Sequence, residues 1–286
     1  MKIFALCVVK NEGDIIEECL RSASLWADRI FVYDGQSTDG TWEKVIAMQN
    51  EKIVPWRQDG KVFQESLRAE IFNAHRHEAA EGDWWCHLDA DEFYVEDPRR
   101  FLARVPRWQH VVWGIAVEYY LTQHDIDHLD FYSPTTEILN SLRYYRAENS
   151  EPRFFKHRSR LVWNETEGRP RHMGIATAER PLYRHYKYRS PQQIQLRIDT
   201  RLESQRRGFV VRDQYRDTNW KQAIAQHLDL DFDQQDGQYI LRKDRLPNHL
   251  PPWYHAIIKR VMHGTGLWPA IALNLTMDSL LSLFLT

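Results

Sequence analysis

The chain has 286 residues, 43% hydrophobic and 27% charged, with three cysteines and a formal net charge of −2. This composition excludes a disordered chain and a disulfide-stapled scaffold, and the near-balanced charge argues against a general nucleic-acid binder. The balance hides an asymmetry: residues 1–140 hold 14 Lys/Arg against 25 Asp/Glu, residues 141–216 hold 18 against 8, and residues 217–286 hold 6 against 7. An acidic half able to hold a cation precedes a basic segment able to face phosphates; alternatively, the two neutralise each other inside the fold.

Residues 3–9 form an unbroken apolar run, as a buried parallel strand does. Ile15, Ile16, Cys19, Leu20, Ala23 and Trp26 then recur at helical spacing. Ile30 to Tyr33 reads as a second strand, Thr41 to Gln49 as a second helix with Asp39 or Thr41 as cap, and Ile53-Val54 as a short third strand. Residues 62–80 predict a third helix and 84–88 a fourth strand. This alternation implies a parallel sheet with helices on both faces and a ligand crevice at the carboxyl ends of the strands. The polar residues agree: Lys10-Asn11-Glu12, Asp34-Gly35-Gln36-Ser37, Arg57-Gln58-Asp59 and Asp89/Asp91 each follow a strand. Beyond residue 100 the pattern predicts a strand at 111–117, a polar loop at 121–137, a strand within 154–163 and a helix over 191–207. Cys7, Cys19 and Cys86 lie in apolar contexts and read as reduced core residues, and the start of the chain lacks the features of a signal peptide. Both point to a cytoplasmic protein.

The densest chemistry lies in Trp84-Trp85-Cys86-His87-Leu88-Asp89-Ala90-Asp91-Glu92, an apolar strand ending in three carboxylates. On an extended chain Asp89 and Asp91 share a side, and paired oxygen ligands suit Mg²⁺ or Mn²⁺, which keep positions open for phosphate oxygens.

Together, Cys7-Val8-Val9-Lys10-Asn11-Glu12, Asp34-Gly35-Gln36-Ser37-Thr38-Asp39-Gly40-Thr41 and Leu88-Asp89-Ala90-Asp91-Glu92 resemble family 2 glycosyltransferases of the GT-A fold, firmly over about residues 1–100 and loosely to about 205. The resemblance implies an α/β GT-A fold, a Rossmann-like, mostly parallel sheet flanked by helices, and inverting, metal-dependent transfer from a nucleotide-diphosphate sugar. It implies nucleotide-sugar contacts from Asn11, Glu12, Asp34, Asp59, Arg68 and Asp89. It also implies a divalent ion, Mn²⁺ or Mg²⁺, held by Asp91 and His185, the latter from Leu182-Tyr183-Arg184-His185-Tyr186. Arg184, Lys187 and Arg189 are expected over the diphosphate, and His172 is a second histidine candidate. Inversion needs a carboxylate base; Glu165 is preferred over Glu118, Asp125, Asp127 and Glu167 because it lies at a suitable distance beyond the acidic motif.

These readings divide the chain into a GT-A domain at 1–215, comprising a nucleotide-binding half (1–100) and an acceptor-binding half (101–215), and a helical extension at 216–286. In the extension, Trp253, Tyr254, Lys259 and Arg260 precede the apolar stretch 267–286, a pattern that predicts contact with a membrane surface or a partner. The expected acceptor is a saccharide or lipid-linked saccharide at the inner face of the plasma membrane, with no nucleic-acid partner. A nucleotidyltransferase and a catalytically silent binding domain are the alternatives.

Overall fold

The computed structural model describes residues 1–61, 64–207 and 218–265. The apolar stretch 267–286 lies outside them. Strands β1 (Ile3–Val9), β2 (Arg29–Asp34), β3 (Ile53–Gln58) and β4 (Trp84–Leu88) pair in parallel in the order β3-β2-β1-β4. All seven residues of β1 are buried, as its run of apolar side chains requires at the centre of a covered sheet. Its side chains alternate between two cores. Ile3, Ala5, Cys7 and Val9 pack with helices α1 (Ile16–Ser24) and α2 (Thr41–Ala47); Phe4, Leu6 and Val8 pack with α3 (Leu67–His75). The three cysteines are buried free thiols within the first of these cores.

The register aligns Val9 with Asp34, Asp34 with Gln58 and Cys7 with Leu88, so the four strands end at one edge. Beyond β4 the sheet is mixed. Strand β5 (Glu92–Tyr94) and helix α4 (Pro98–Arg104) precede β6 (Val111–Tyr119); helices α5 (Gln123–His128) and α6 (Thr135–Ser141) precede β7 (Tyr144–Lys156). β7 runs antiparallel to both β4 and β6, while β8 (Leu182–His185) lies parallel to β6 and antiparallel to β5. The segment 121–137, expected as loop, carries α5 and α6, because Thr122 and Asp125 form a reciprocal cap at the start of α5. The strand expected within 154–163 starts earlier, at Tyr144, and ends at Lys156; the polar residues Arg146, Glu148, Asn149 and Glu151 along its first part hide it from an apolar pattern.

Helix α7 (Pro191–Arg206) starts at a Ser190 cap with Pro191 in its first turn. Ile194 and Ile198 anchor it on a third core with Ile115, Val117, Tyr119, Tyr145 and Tyr186. After residue 217, the described part of the expected helical extension contains two short 3₁₀ turns, strand β9 (Asp231–Phe232) and one helix, α8 (Trp253–Gly264). β9 adds to β7, and Asp233 accepts a hydrogen bond from Tyr119, so this segment folds back onto the main sheet. Among the described residues no helix is long and apolar enough to cross a membrane.

Candidate active site

The edge where β1, β2, β3 and β4 end carries the site. Asn11, two residues beyond the end of β1, adopts a left-handed backbone at φ 56°, which Asn tolerates better than most residues. Its side chain accepts from the Thr38 amide at 2.9 Å and donates to Thr200 Oγ1 on α7 at 3.1 Å. Asp34 is fully buried and accepts from the Ser37 amide at 2.8 Å, the Ser37 hydroxyl at 2.5 Å and Gln58 at 3.0 Å. These bonds order the loop after β2, whose Gly35 and Gln36 line a small cleft together with Lys10, Gly60, Lys61, Thr200, Glu203, Ser204 and Arg207. Asp59 accepts from the Tyr33 hydroxyl and from the Lys61 amide, holding the turn at Gly60. Asp39 accepts from the amides of Gly13 and Thr41, the turn and cap role its sequence position implies.

After β4, acidic and basic side chains interlock. Asp89 pairs with Arg68 of α3 and with Arg153 of β7, the latter at 3.1 Å. Arg153 also pairs with Glu92. Asp91 Oδ2 lies 3.4 Å from His185 Nε2 and 3.3 Å from Arg197 Nη1. Glu12 pairs with Arg189 and stands 3.4 Å from Arg197, while Arg189 also meets Asp14 at 2.6 Å. The register of β5, β8 and β6 puts Glu92, His185 and Glu118 in one row, and His185 Nδ1 lies 3.6 Å from Glu118. The acidic half and the basic segment therefore neutralise one another here, through Arg153, Arg189 and Arg197.

Burial works against every charge in this cluster, and the partners decide the outcome. Burial would raise the Asp91 carboxyl, but His185 and Arg197 hold it well below the usual carboxylate range. For Asp89, Arg68 and Arg153 likewise outweigh burial and lower it. Burial disfavours a charged His185, yet Asp91 and Glu118 outweigh it and push the imidazole well above its ordinary value. For Glu92 burial prevails over Arg153 and raises the carboxyl.

The structure thus brings Asn11, Glu12, Arg68, Asp89, Asp91 and His185 to the strand-end edge, with Asp34 and Asp59 ordering the loops that line the cleft. Arg68 is buried and holds Asp89. Glu165 is exposed in the loop after β7 and makes no hydrogen bond or ion pair with the cluster. Of the other carboxylates considered for the base, Asp125 is used in the cap of α5, Asp127 accepts from Gln123, and Glu167 pairs with Arg171. Glu118 is in the cluster, but burial is outweighed by His185 and its carboxyl is lowered to about 2, which suits orienting His185 better than accepting a proton. His172 sits instead beside Arg158, and its carbonyl accepts from that guanidinium at 2.5 Å. Arg153 and Arg197 had no distinguishing sequence signal beyond the basic composition of their segment.

The sequence model described as glycosyl transferase family 2 matches residues 5–169, more than half of the chain. The chain belongs to glycosyl transferase family 2. The match covers β1 to β7 and ends before β8 and α7, which supply His185, Arg189 and Arg197. No curated protein matches the chain significantly. Among solved structures, a Pyrobaculum calidifontis mannosyltransferase in complex with GDP-Man and Mn²⁺ is 14% identical over 73% of this chain and 66% of its own, with a TM-score of 0.38. TarS 1–349 of S. aureus in complex with UDP is 18% identical over 42% of this chain and 36% of its own, with a TM-score of 0.29. The chain therefore spans less than two thirds of the length of either.

Proposed function

We propose that this chain transfers a sugar, with inversion, from a nucleoside-diphosphate donor to the hydroxyl of a saccharide or lipid-linked saccharide acceptor. The observation that carries this reading is what converges at the carboxyl ends of β1 to β4: a cleft lined by Lys10, Gly35, Gln36 and Lys61, and beside it the ion-paired cluster of Asp89, Asp91 and His185. A nucleoside diphosphate has a matching layout: a polar base and ribose followed by a charged diphosphate. Lys10 and Lys61 place positive charge along the wall of the cleft.

The donor set fits a divalent ion in part. Asp91 Oδ2 and His185 Nε2, 3.4 Å apart, are near the spacing of two adjacent ligands on one octahedral ion. Among the described residues no third His, Cys, Asp or Glu joins them as a metal-holding group. Such an ion would supply a Lewis acid for the departing diphosphate. Asp89 is held in place by Arg68 and Arg153, and Glu118 orients His185. We further propose a role in surface polysaccharide or glycolipid synthesis at the cytoplasmic face of the membrane, on the strength of the basic and aromatic residues of α8 and the apolar stretch that follows it in sequence.

The test is a panel of nucleotide sugars with Mn²⁺ or Mg²⁺, read by release of the nucleoside diphosphate. At least one donor should be turned over by the wild-type chain, and Asp91→Ala should lose about 100-fold or more in rate. A wild-type chain that neither binds nor turns over any donor would overturn the reading.

A further inference from the structure

Helix α8 presents two unlike faces. Its inner face holds it to the sheet: Met262 is buried, and His263 stacks on His110 with ring centroids 4.5 Å apart. Its outer face is apolar and open. Tyr254, Ile257 and Val261 recur at helical spacing, so they share one side, and they are 43%, 54% and 55% exposed. Trp108, just before β6, is 43% exposed, and the Arg260 guanidinium lies 4.8 Å from its ring centroid. The charge around this face has one sign. Residues 245–277 contain Arg245, Lys259 and Arg260 but no Asp or Glu. Among the described residues Arg107, Lys156, Arg158, Lys259 and Arg260 form no ion pair. Lys156 is held by the carbonyls of Pro106 and Arg107, and Arg158 by the carbonyl of His172, rather than by carboxylates. Burial and the Arg107 charge accordingly lower Lys156 to about 8, and burial lowers Arg158 to about 10 despite Glu81. The acidic cluster is different, for there each guanidinium has its carboxylate.

We propose that the outer face of α8, together with Trp108, docks flat on an anionic lipid bilayer. This rests on the membrane placement proposed above, and names the face and the lipid charge that achieve it. Ile257 and Val261 enter the boundary between headgroups and acyl chains, Trp108 sits at headgroup depth, and Arg107 and Arg260 meet the phosphates. Lys156, Arg158 and Lys259 add to the attractive field from behind the helix. The 12 residues of α8 suit a helix lying in the interface, since no helix among the described residues can cross a bilayer. A second copy of the chain is a poor occupant, because a two-fold contact through this face would set the same cations against one another. His110 precedes β6, whereas Glu118 at the far end of that strand belongs to the acidic cluster. The docked face is therefore at the opposite edge of the sheet from the cleft, which a bilayer at α8 leaves open.

The experiment is sedimentation of the full-length chain with vesicles of phosphatidylcholine, alone or with about 30% phosphatidylglycerol. Wild type should partition at least about tenfold more strongly onto the anionic vesicles, and added salt should weaken the binding. Ile257→Glu combined with Val261→Glu should lose about tenfold or more, and Arg107→Gln combined with Arg260→Gln should remove most of the preference for anionic lipid. The native cysteines are buried, so an environment-sensitive fluorophore on Val261→Cys reports on the face directly, and its emission should shift to the blue on anionic vesicles. Should the Glu pair fail to fold, this label decides. Absence of vesicle binding overturns the proposal. Binding that the Glu pair leaves unchanged, with a label at 261 that stays in water, also overturns it, while the membrane placement stands. A lipid-free dimer dissolved by the Glu pair, without vesicle binding, assigns the face to a second copy and overturns it too. Vesicle binding through this face without turnover of any nucleotide sugar leaves the inference standing and removes the transferase reading; turnover without vesicle binding does the reverse.

Discussion

At the scale of single residues, the chemistry of the site depends on charges that only their partners make tolerable. Arg153 illustrates this: its guanidinium meets Asp89, Glu92 and Glu151, and the Glu92 side chain has no solvent exposure. Arg153→Ala should destabilise the fold by about 3–5 kcal/mol, because buried carboxylates lose their counter-ion. Urea unfolding measures the loss, and Arg153→Met combined with Glu92→Gln should recover most of it. Full stability in the single mutant would show that the cluster is wetter than its burial implies. Asp89 and Asp91 were legible in the sequence, since an apolar strand ending in carboxylates is a local pattern. Arg153 was not. A lone arginine inside a strand looks like a solvated residue until its partner, 64 positions away, is in place.

At the scale of elements, α7 supplies Thr200, Glu203 and Ser204 to the wall of the cleft, and β6 packs beneath the acidic cluster through Glu118. The Ser190 hydroxyl accepts from the Gln193 amide at 3.1 Å at the start of α7. Ser190→Ala should cost about 1 kcal/mol of stability. If α7 roofs the nucleotide end, the same variant should also weaken nucleotide binding; a change in unfolding midpoint with unaltered binding would separate the helix from the site. In β6, a Cβ at Gly114 would lie 2.8 Å from the Tyr183 ring and 3.2 Å from Arg153 Cγ. Gly114→Ala should therefore destabilise by about 1–3 kcal/mol, and near-UV circular dichroism should report displaced Tyr183. The early strands and helices were legible because β1 is apolar throughout and α1 has an apolar stripe. β5 and β8 were not, because strands of three and four residues leave no period to read.

At the scale of the whole molecule, α8 is tied to the sheet through histidines. His263 stacks on His110 with ring centroids 4.5 Å apart, and His263 Nδ1 lies 3.3 Å from Arg158. Burial and the Arg158 charge lower His110 to about 3 and His263 to about 4. In the unfolded chain both take up protons near pH 6.5. The unfolded state then binds more protons at acidic pH, so stability is complete above about pH 6.5 and falls as the pH drops toward 4. Urea midpoints at pH 7.5 and 5 should show this loss, and His263→Gln should reduce it. An identical pH dependence in that variant would place the acid sensitivity elsewhere, in the carboxylate cluster.

By itself, the sequence determined the alternation of strands and helices up to residue 100 and the edge at which their polar residues converge. Periodicity and strand ends are local properties, and a parallel sheet places its carboxyl ends on one side. Only the tertiary structure decided how the acidic edge is neutralised. Arg189 reaches Glu12 across 177 positions and Arg197 reaches Asp91 across 106, because β7 and β8 extend the sheet and α7 crosses its edge. Opposite charges attract whatever their order in the chain, so composition announced the pairing in bulk, while the fold chose the partners.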